Sequence, residues 1–236
     1  MSDLQLIQSG TLVLCSTDIA APPMTSVVDG VRYGYEPDLG RALASHLGLE
    51  LQWVDVRRWP DFVPTLTEKR CDAILCNQAI TPDREEIVDF TLPYGRFNEG
   101  VVVRTDSPIH SAADLIGRKV GAITGTTNIA LAASFTGAEV VEFGSGDDAF
   151  HEMADAAVDG TIDAFVDDEI VLPALEATGK LRVAFIAPTG NPYGIAVHKD
   201  SDALRTSLNE AIQHLIANGT LAEIWNNNFP TKAFPL

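Results

Sequence analysis

EPDLGRALASHLGLELQWV, residues 36–54, is an amphipathic helical stretch closed by Gly48 and followed at once by a short apolar strand. The same alternation runs outward in both directions. TLVLC (11–15) is a strand before it; PDFVPTLTEK (60–69) is a helix with proline in its first turn, and DAILC (72–76) is the next buried strand. This βαβαβ rhythm implies an α/β chain whose sheet is mostly parallel and flanked by helices.

A second series begins at GVVVR (100–104). It continues through strands at KVGAI (119–123), AEVVEF (138–143), IDAFV (162–166) and RVAFI (182–186), with helices at TTNIALAAS (126–134) and DDAFHEMADAAVDG (147–160). APTGNP (187–192) reads as a break before another strand, YGIAVHK (193–199), and two helices over 202–219 and 220–229 close the series. The chain therefore reads as two lobes, residues 1–95 plus 193–236 and residues 96–192, joined by two chain crossings that make a hinge. Ligands of open α/β sheets sit at the carboxyl ends of strands, which places the expected site in a cleft between the lobes.

Composition narrows the function. The 236 residues carry 33 acids and 16 bases, a net charge of −17, which argues against nucleic acid and anionic membranes as partners. No apolar run approaches the length of a membrane span. MSDLQLIQSG at the N-terminus has neither a basic region nor an apolar core, so as it stands it is not a signal peptide. Cys15, Cys71 and Cys76 form no metal-ligand pattern and read as buried free thiols. The five histidines share no spacing, no catalytic motif stands out, and neither metal nor cofactor is called for.

Five loops that follow strands hold the candidate residues. In NQAITPDR, Arg84 can grip a carboxylate as a bidentate fork, or pair with Asp83, Glu85 or Glu86. In GTTN (125–128), Thr126 and Thr127 stand at a strand-to-helix junction, where N–H groups bind anions or a hydroxyl merely caps the helix. In DDEI (167–170), an acid can take an ammonium or cap a helix over 168–178. Asp18 is a loop acid, and Trp59 offers a ring face or belongs to the core.

Six segments in order, GYEPDLGRALASHLGLELQWV, WPDFVPTLTEKRCDAIL, ITPDREEIVDFTLPY, DLIGRKVGAITGTTN, GTIDAFVDDE and YGIAVHKDSDALRTSLNEAIQHLIANGTLAEIW, make the chain resemble the substrate-binding proteins of bacterial amino-acid ABC transporters. The resemblance implies the type II periplasmic-binding fold and Venus-flytrap closure on a small zwitterion, most simply a polar amino acid. It implies delivery to a membrane permease by a monomer, in the periplasm or outside the cell after removal of a leader. Residue by residue, Arg84 matches the arginine that grips the α-carboxylate, and Thr127 the threonine opposite it. Asp168, sixth in DAFVDD, matches the acid for the α-ammonium, Asp18 a first-loop acid, and Trp59 a pocket residue. Departures fall at Ala21 and Met24, where aromatics are common, at Ala79, where Ser or Thr helps the carboxylate, and at Asn77 and Gln78. A lyase of the cyclohexadienyl dehydratase kind and a receptor's sensing domain are the alternatives on the same fold.

Overall fold

The computed structural model describes residues 4–144 and 146–236. The strand–helix alternation read from the sequence is present. In chain order come β1 (Thr11–Ser16), a hairpin of β2 (Ser26–Val28) and β3 (Val31–Tyr33), α1 (Tyr35–Leu47) and β4 (Glu50–Asp55). Then follow α2 (Phe62–Thr67), β5 (Ala73–Ile74), α3 (Pro82–Glu85), β6 (Asp89–Phe90) and β7 (Gly95–Arg104). Next are β8 (Lys119–Ile123), α4 (Thr127–Ser134), β9 (Glu139–Phe143), α5 (Ala149–Asp159), β10 (Ala164–Asp168) and α6 (Leu172–Glu176). The chain finishes with β11 (Leu181–Tyr193), β12 (Ala196–Val197), α7 (Asp202–Ala217) and α8 (Thr220–Asn228).

Two compact units divide the chain. The first takes the residues up to Val56 together with Asp61–Arg96 and Asn191–Leu236; the second takes Phe97–Gly190 and the short piece Arg57–Pro60.

The first unit is built on the order β4-β1-β5-β12-β6. β1 pairs parallel with β4 and β5, whereas β12 runs antiparallel to both β5 and β6, so the sheet is mixed. All six residues of β1 are buried, as a strand covered on both faces requires. Leu39, Leu43 and Ala44 of α1 and Leu204, Leu208, Ala211, Ile212 and Leu215 of α7 are buried at helical spacing. Gly48 ends α1 in the left-handed conformation (φ 68°), with its N–H on the carbonyls of Ala44 and Ser45. Tyr35 meets Trp225 edge-on at 5.2 Å between centroids, and Trp225 stacks on Phe229 at 4.3 Å.

The second unit has the order β11-β7-β10-β8-β9, with β8 parallel to β9 and β10, and β7 antiparallel to β10. Its core gathers Val101, Val103, Val120, Ala122, Ala132, Ala164 and Val166. α5 begins at Asp148, whose carboxylate accepts the His151 N–H, and ends at left-handed Gly160.

Both sheets are mixed where mostly parallel ones were expected, because β12 runs antiparallel to β5 and β6, and β7 to β10. Two local features also differ from the sequence reading. Ser26–Tyr33 form a hairpin turned by Asp29 and Gly30, both at positive φ (50° and 78°), the turn chemistry that a strand pair of this hand requires. β11 runs unbroken through APTGNP. There the Glu99 N–H donates to Thr189 Oγ1 (3.2 Å) and the Gly190 N–H to Asn98 Oδ1 (3.1 Å), so side chains supply bonds beside the prolines.

Candidate functional site

In the first unit the loop after β5 is shaped from below. Asn77 adopts a left-handed backbone (φ 47°), and its N–H donates to Glu36 Oε1 (2.6 Å) and to the Tyr94 hydroxyl (3.2 Å). Tyr94 donates its own proton to Glu36, and Tyr35 donates to the Tyr94 carbonyl at 2.6 Å. Glu36 is 1% exposed, and burial pushes its carboxyl up to about 7 against the pull of Tyr94, Asn77 and Arg32. Tyr94 stands edge-on to Tyr193, 4.8 Å between centroids, and Gly95 leaves the room that Tyr193 fills.

Beyond Asn77, Gln78 is buried with its amide on the Cys76 carbonyl (3.2 Å), and its own carbonyl receives the Gly194 N–H. Ala79 is buried and bridges to Tyr193. α3 follows at once, Thr81 at its cap and Pro82 in its first turn, and the Arg84 N–H lies 3.4 Å from Thr81 Oγ1. Arg84 folds back so that Nη1 donates to the Ala79 carbonyl at 2.9 Å. Position 79 has no hydroxyl, but its backbone orients the guanidinium, and Glu85 and Glu86 are exposed.

Asp18 follows β1 in a partly buried loop whose turn is closed by Thr17 Oγ1 accepting the Ile19 N–H (3.1 Å). Arg32 holds this loop from β3: Nη1 donates to the Thr17 carbonyl, the guanidinium pairs with Asp55, and it lies 5.1 Å from the centroid of Trp53. Burial draws the basicity of Arg32 down, while Asp18 is among the acids that support its charge.

In the second unit, Thr126 occupies the cap position of α4 in extended conformation, yet its hydroxyl donates to the Ile123 carbonyl (2.6 Å) instead of capping the helix. Thr127 opens the helix and is partly buried. Asn128 beside it is 4% exposed, with Oδ1 enclosed and without a hydrogen-bond partner. Trp59, in a 3-10 turn, donates from Nε1 to the Gly125 carbonyl at 3.1 Å, and Gly125 itself sits at φ 80°. Trp59 thus groups with GTTN in the second unit, although the sequence reading set it in the first lobe.

Asp168 is the last residue of β10, and α6 begins only at Leu172 with Val171 at its cap. The capping reading of Asp168 therefore does not hold. Its N–H donates to Asp167 Oδ1 at 2.7 Å. Asp167 is 7% exposed; burial, reinforced by the charge of Glu99, carries it up to about 7.

The three cysteines are free and buried, as the sequence implied. Among the described residues no group of three or more His, Cys, Asp or Glu side chains could hold a metal ion, and no helix is long and apolar enough to cross a membrane. Sequence reasoning missed Glu36, Arg32 and Asn128. The Asp29-Gly30 hairpin signal would have set Arg32 on a strand, but nothing local marks Glu36 as the partner of a loop 41 residues away.

Residues 13–231 match the bacterial extracellular solute-binding proteins, family 3. The chain belongs to that family. It is 30% identical to the L-arginine-binding protein of Pseudomonas aeruginosa, an alignment that covers 90% of this chain and 85% of that one. Among solved structures it resembles an ancestral arginine-binding protein bound to arginine, with a TM-score of 0.84 at 28% identity over 93% of this chain and 98% of that one. An ancestral amino acid-binding protein described as a precursor of cyclohexadienyl dehydratase gives a TM-score of 0.83 at 26% identity, covering 93% and 96%. These neighbours share the type II periplasmic-binding fold.

Proposed function

We propose that the chain binds a small zwitterionic amino acid outside the cytoplasmic membrane and delivers it, as a monomer, to an ABC permease. The observation that carries this reading is Arg84, whose Nη1 is fixed on the Ala79 carbonyl at the end of a short helix beyond β5. A guanidinium oriented in that way is ready to take a carboxylate as a fork. Thr127, at the start of α4, adds the N–H end of a helix to the same anion. Asp168 takes the ammonium, and Asp18, Asn77, Thr126 and Trp59 line the ligand, with Gln78 and Ala79 shaping the loop. One molecule held by Arg84 from the first unit and by Thr127 and Asp168 from the second favours the closed state through its differential affinity.

The acids around Asp168 and the arginine-binding relatives make L-arginine the first ligand to test. A calorimetric screen of amino acids against the purified protein should find one that binds and raises the unfolding temperature. Arg84→Ala should abolish that binding with the circular dichroism unchanged; micromolar affinity retained by the variant would refute the assignment. The chain acts as a binder and not as an enzyme. Turnover of prephenate by the purified protein would decide for the dehydratase alternative that its structural neighbour raises.

A further inference from the structure

The histidines share no spacing in the sequence, yet the fold brings two of them together in the first unit. His46 lies in the last turn of α1 and His214 in the last turn of α7. Their ring centroids are 4.7 Å apart, with the planes inclined at 36°, and both residues are exposed. Other histidine rings are engaged locally: Nδ1 of His151 lies 2.8 Å from Asp148 Oδ1, and Nδ1 of His198 accepts the Asp200 N–H at 3.1 Å. Among the described residues no hydrogen bond or ion pair engages the ring of His46 or His214. Each neutral imidazole therefore keeps a nitrogen lone pair to give to a ligand.

The spacing suits two ligands of one metal ion. A metal about 2.1 Å from an imidazole nitrogen stands roughly 3.2 Å from the ring centre, so two rings set about 90–110° apart around it have centres roughly 4.5–5.2 Å apart. The measured 4.7 Å falls inside that interval. The surroundings favour a cation too. The carbonyl ends of α1 and α7 come together at the two rings, and each is the negative end of its helix dipole. Neither last turn holds a lysine or arginine. Glu210 stands one turn before His214, both of them exposed, and the chain carries a net charge of −17.

We infer that His46 and His214 form a binding site for one divalent transition-metal ion of the kind that takes imidazole: Zn²⁺, Ni²⁺ or Cu²⁺. Two side chains are fewer than a closed structural centre uses, so water fills the remaining positions and the ion exchanges. The site is independent of the amino-acid reading. His46 is at the far end of α1 from Glu36, the residue that holds the Asn77 loop, about 15 Å along the helix. α1 is encoded near the start of the chain and α7 near its end, so the folded protein alone offers both rings to one ion. Binding therefore staples the two helices and stabilises the fold.

The test uses the full chain, metal chlorides and no added amino acid. Calorimetry near neutral pH in a non-chelating buffer should find one Zn²⁺ per chain. His46→Ala and His214→Ala should each weaken that binding about tenfold or more, at least what losing a group that merely orients a ligand costs. The double variant should lose little more than either single one, because an ion shared by both rings is released with the first. His151→Ala should bind as the wild type does. Saturating Zn²⁺ should raise the unfolding temperature of the wild type and not of the single variants. With Cu²⁺, electron paramagnetic resonance should show nitrogen coupling from two imidazoles in the wild type and from fewer in each variant. Both rings are exposed, so alanine leaves the core intact, which circular dichroism checks. Binding that neither single variant weakens, losses that add independently, or several ions per chain with no change in unfolding temperature means an adventitious ion only and overturns the proposal.

Discussion

Replacing Glu36 by glutamine should stabilise the protein at alkaline pH and leave it nearly unchanged at acid pH. The carboxyl titrates at about 7 in the folded chain against 4.5 in its ordinary state, because burial outweighs the hydrogen bonds from Tyr94 and Asn77. A raised pKa means that the folded state holds the proton more tightly than the unfolded one. Its contribution is therefore fully present below pH 4.5 and is lost as pH rises toward 7. Between pH 5 and 8 the ionising carboxyl costs about 2 to 3 kcal/mol, which is roughly 5–10 °C in unfolding temperature for a chain of this size. Glutamine keeps an oxygen to accept from the Asn77 N–H and the Tyr94 hydroxyl, and it has no charge to desolvate. Urea unfolding of both proteins at pH 5, 6.5 and 8, followed by tryptophan fluorescence, reads the difference. Asp167 has the same sign, so the variant should retain a residual slope. A constant offset between the two proteins at every pH, or a variant less stable than wild type at pH 8, would falsify the account of Glu36.

Gly95→Ala should destabilise by about 1–3 kcal/mol, the scale of overpacked cores, since its Cβ would collide with the Tyr193 ring and hydroxyl, and Tyr193→Ala in the same chain should relieve that collision. Gly125→Ala forces a side chain to φ 80° and against Trp59, so it should lower stability by about 1 kcal/mol and shift the Trp59 emission. Asn128→Ala removes an enclosed oxygen that has no partner; the unliganded protein should be near-neutral to this change, read by thermal unfolding, and a weaker ligand affinity would place Asn128 in the binding loop. Arg32→Met should free the loop of Thr17 and Asp18, seen as faster hydrogen exchange at Ile19, because three tethers of that loop and of β4 are lost together.

The parts of this structure that were legible in the sequence are those set by local periodicity. β8 occupies the residues read for it, and α1, α7 and α8 match within a residue or two, since each buries one regular face and ends at a local signal such as Gly48. The continuity of β11 was illegible because it depends on the side chains of Asn98 and Thr189, about 90 residues apart. For the candidate site, the residue types at strand ends could be named, but not what holds them. Arg84 is oriented by a carbonyl, which every residue possesses, so no side chain at position 79 could advertise it. Glu36 looks like an ordinary acid in the first turn of a helix until β5 brings the Asn77 amide to it.

The position of β12 has a consequence for how the chain is made. It lies between β5 and β6 in the middle of the first unit's sheet, yet it is encoded after the whole span Phe97–Gly190. On the ribosome, β1, β4 and β5 emerge first but lack their central neighbour and the cover of α7 and α8 until the last forty or so residues appear. The second unit, almost contiguous in sequence, gains its last strand, β11, just before β12 and ahead of α7 and α8. Synthesis therefore leaves an apolar sheet edge of the first unit without its central neighbour until the second unit's strands have been made.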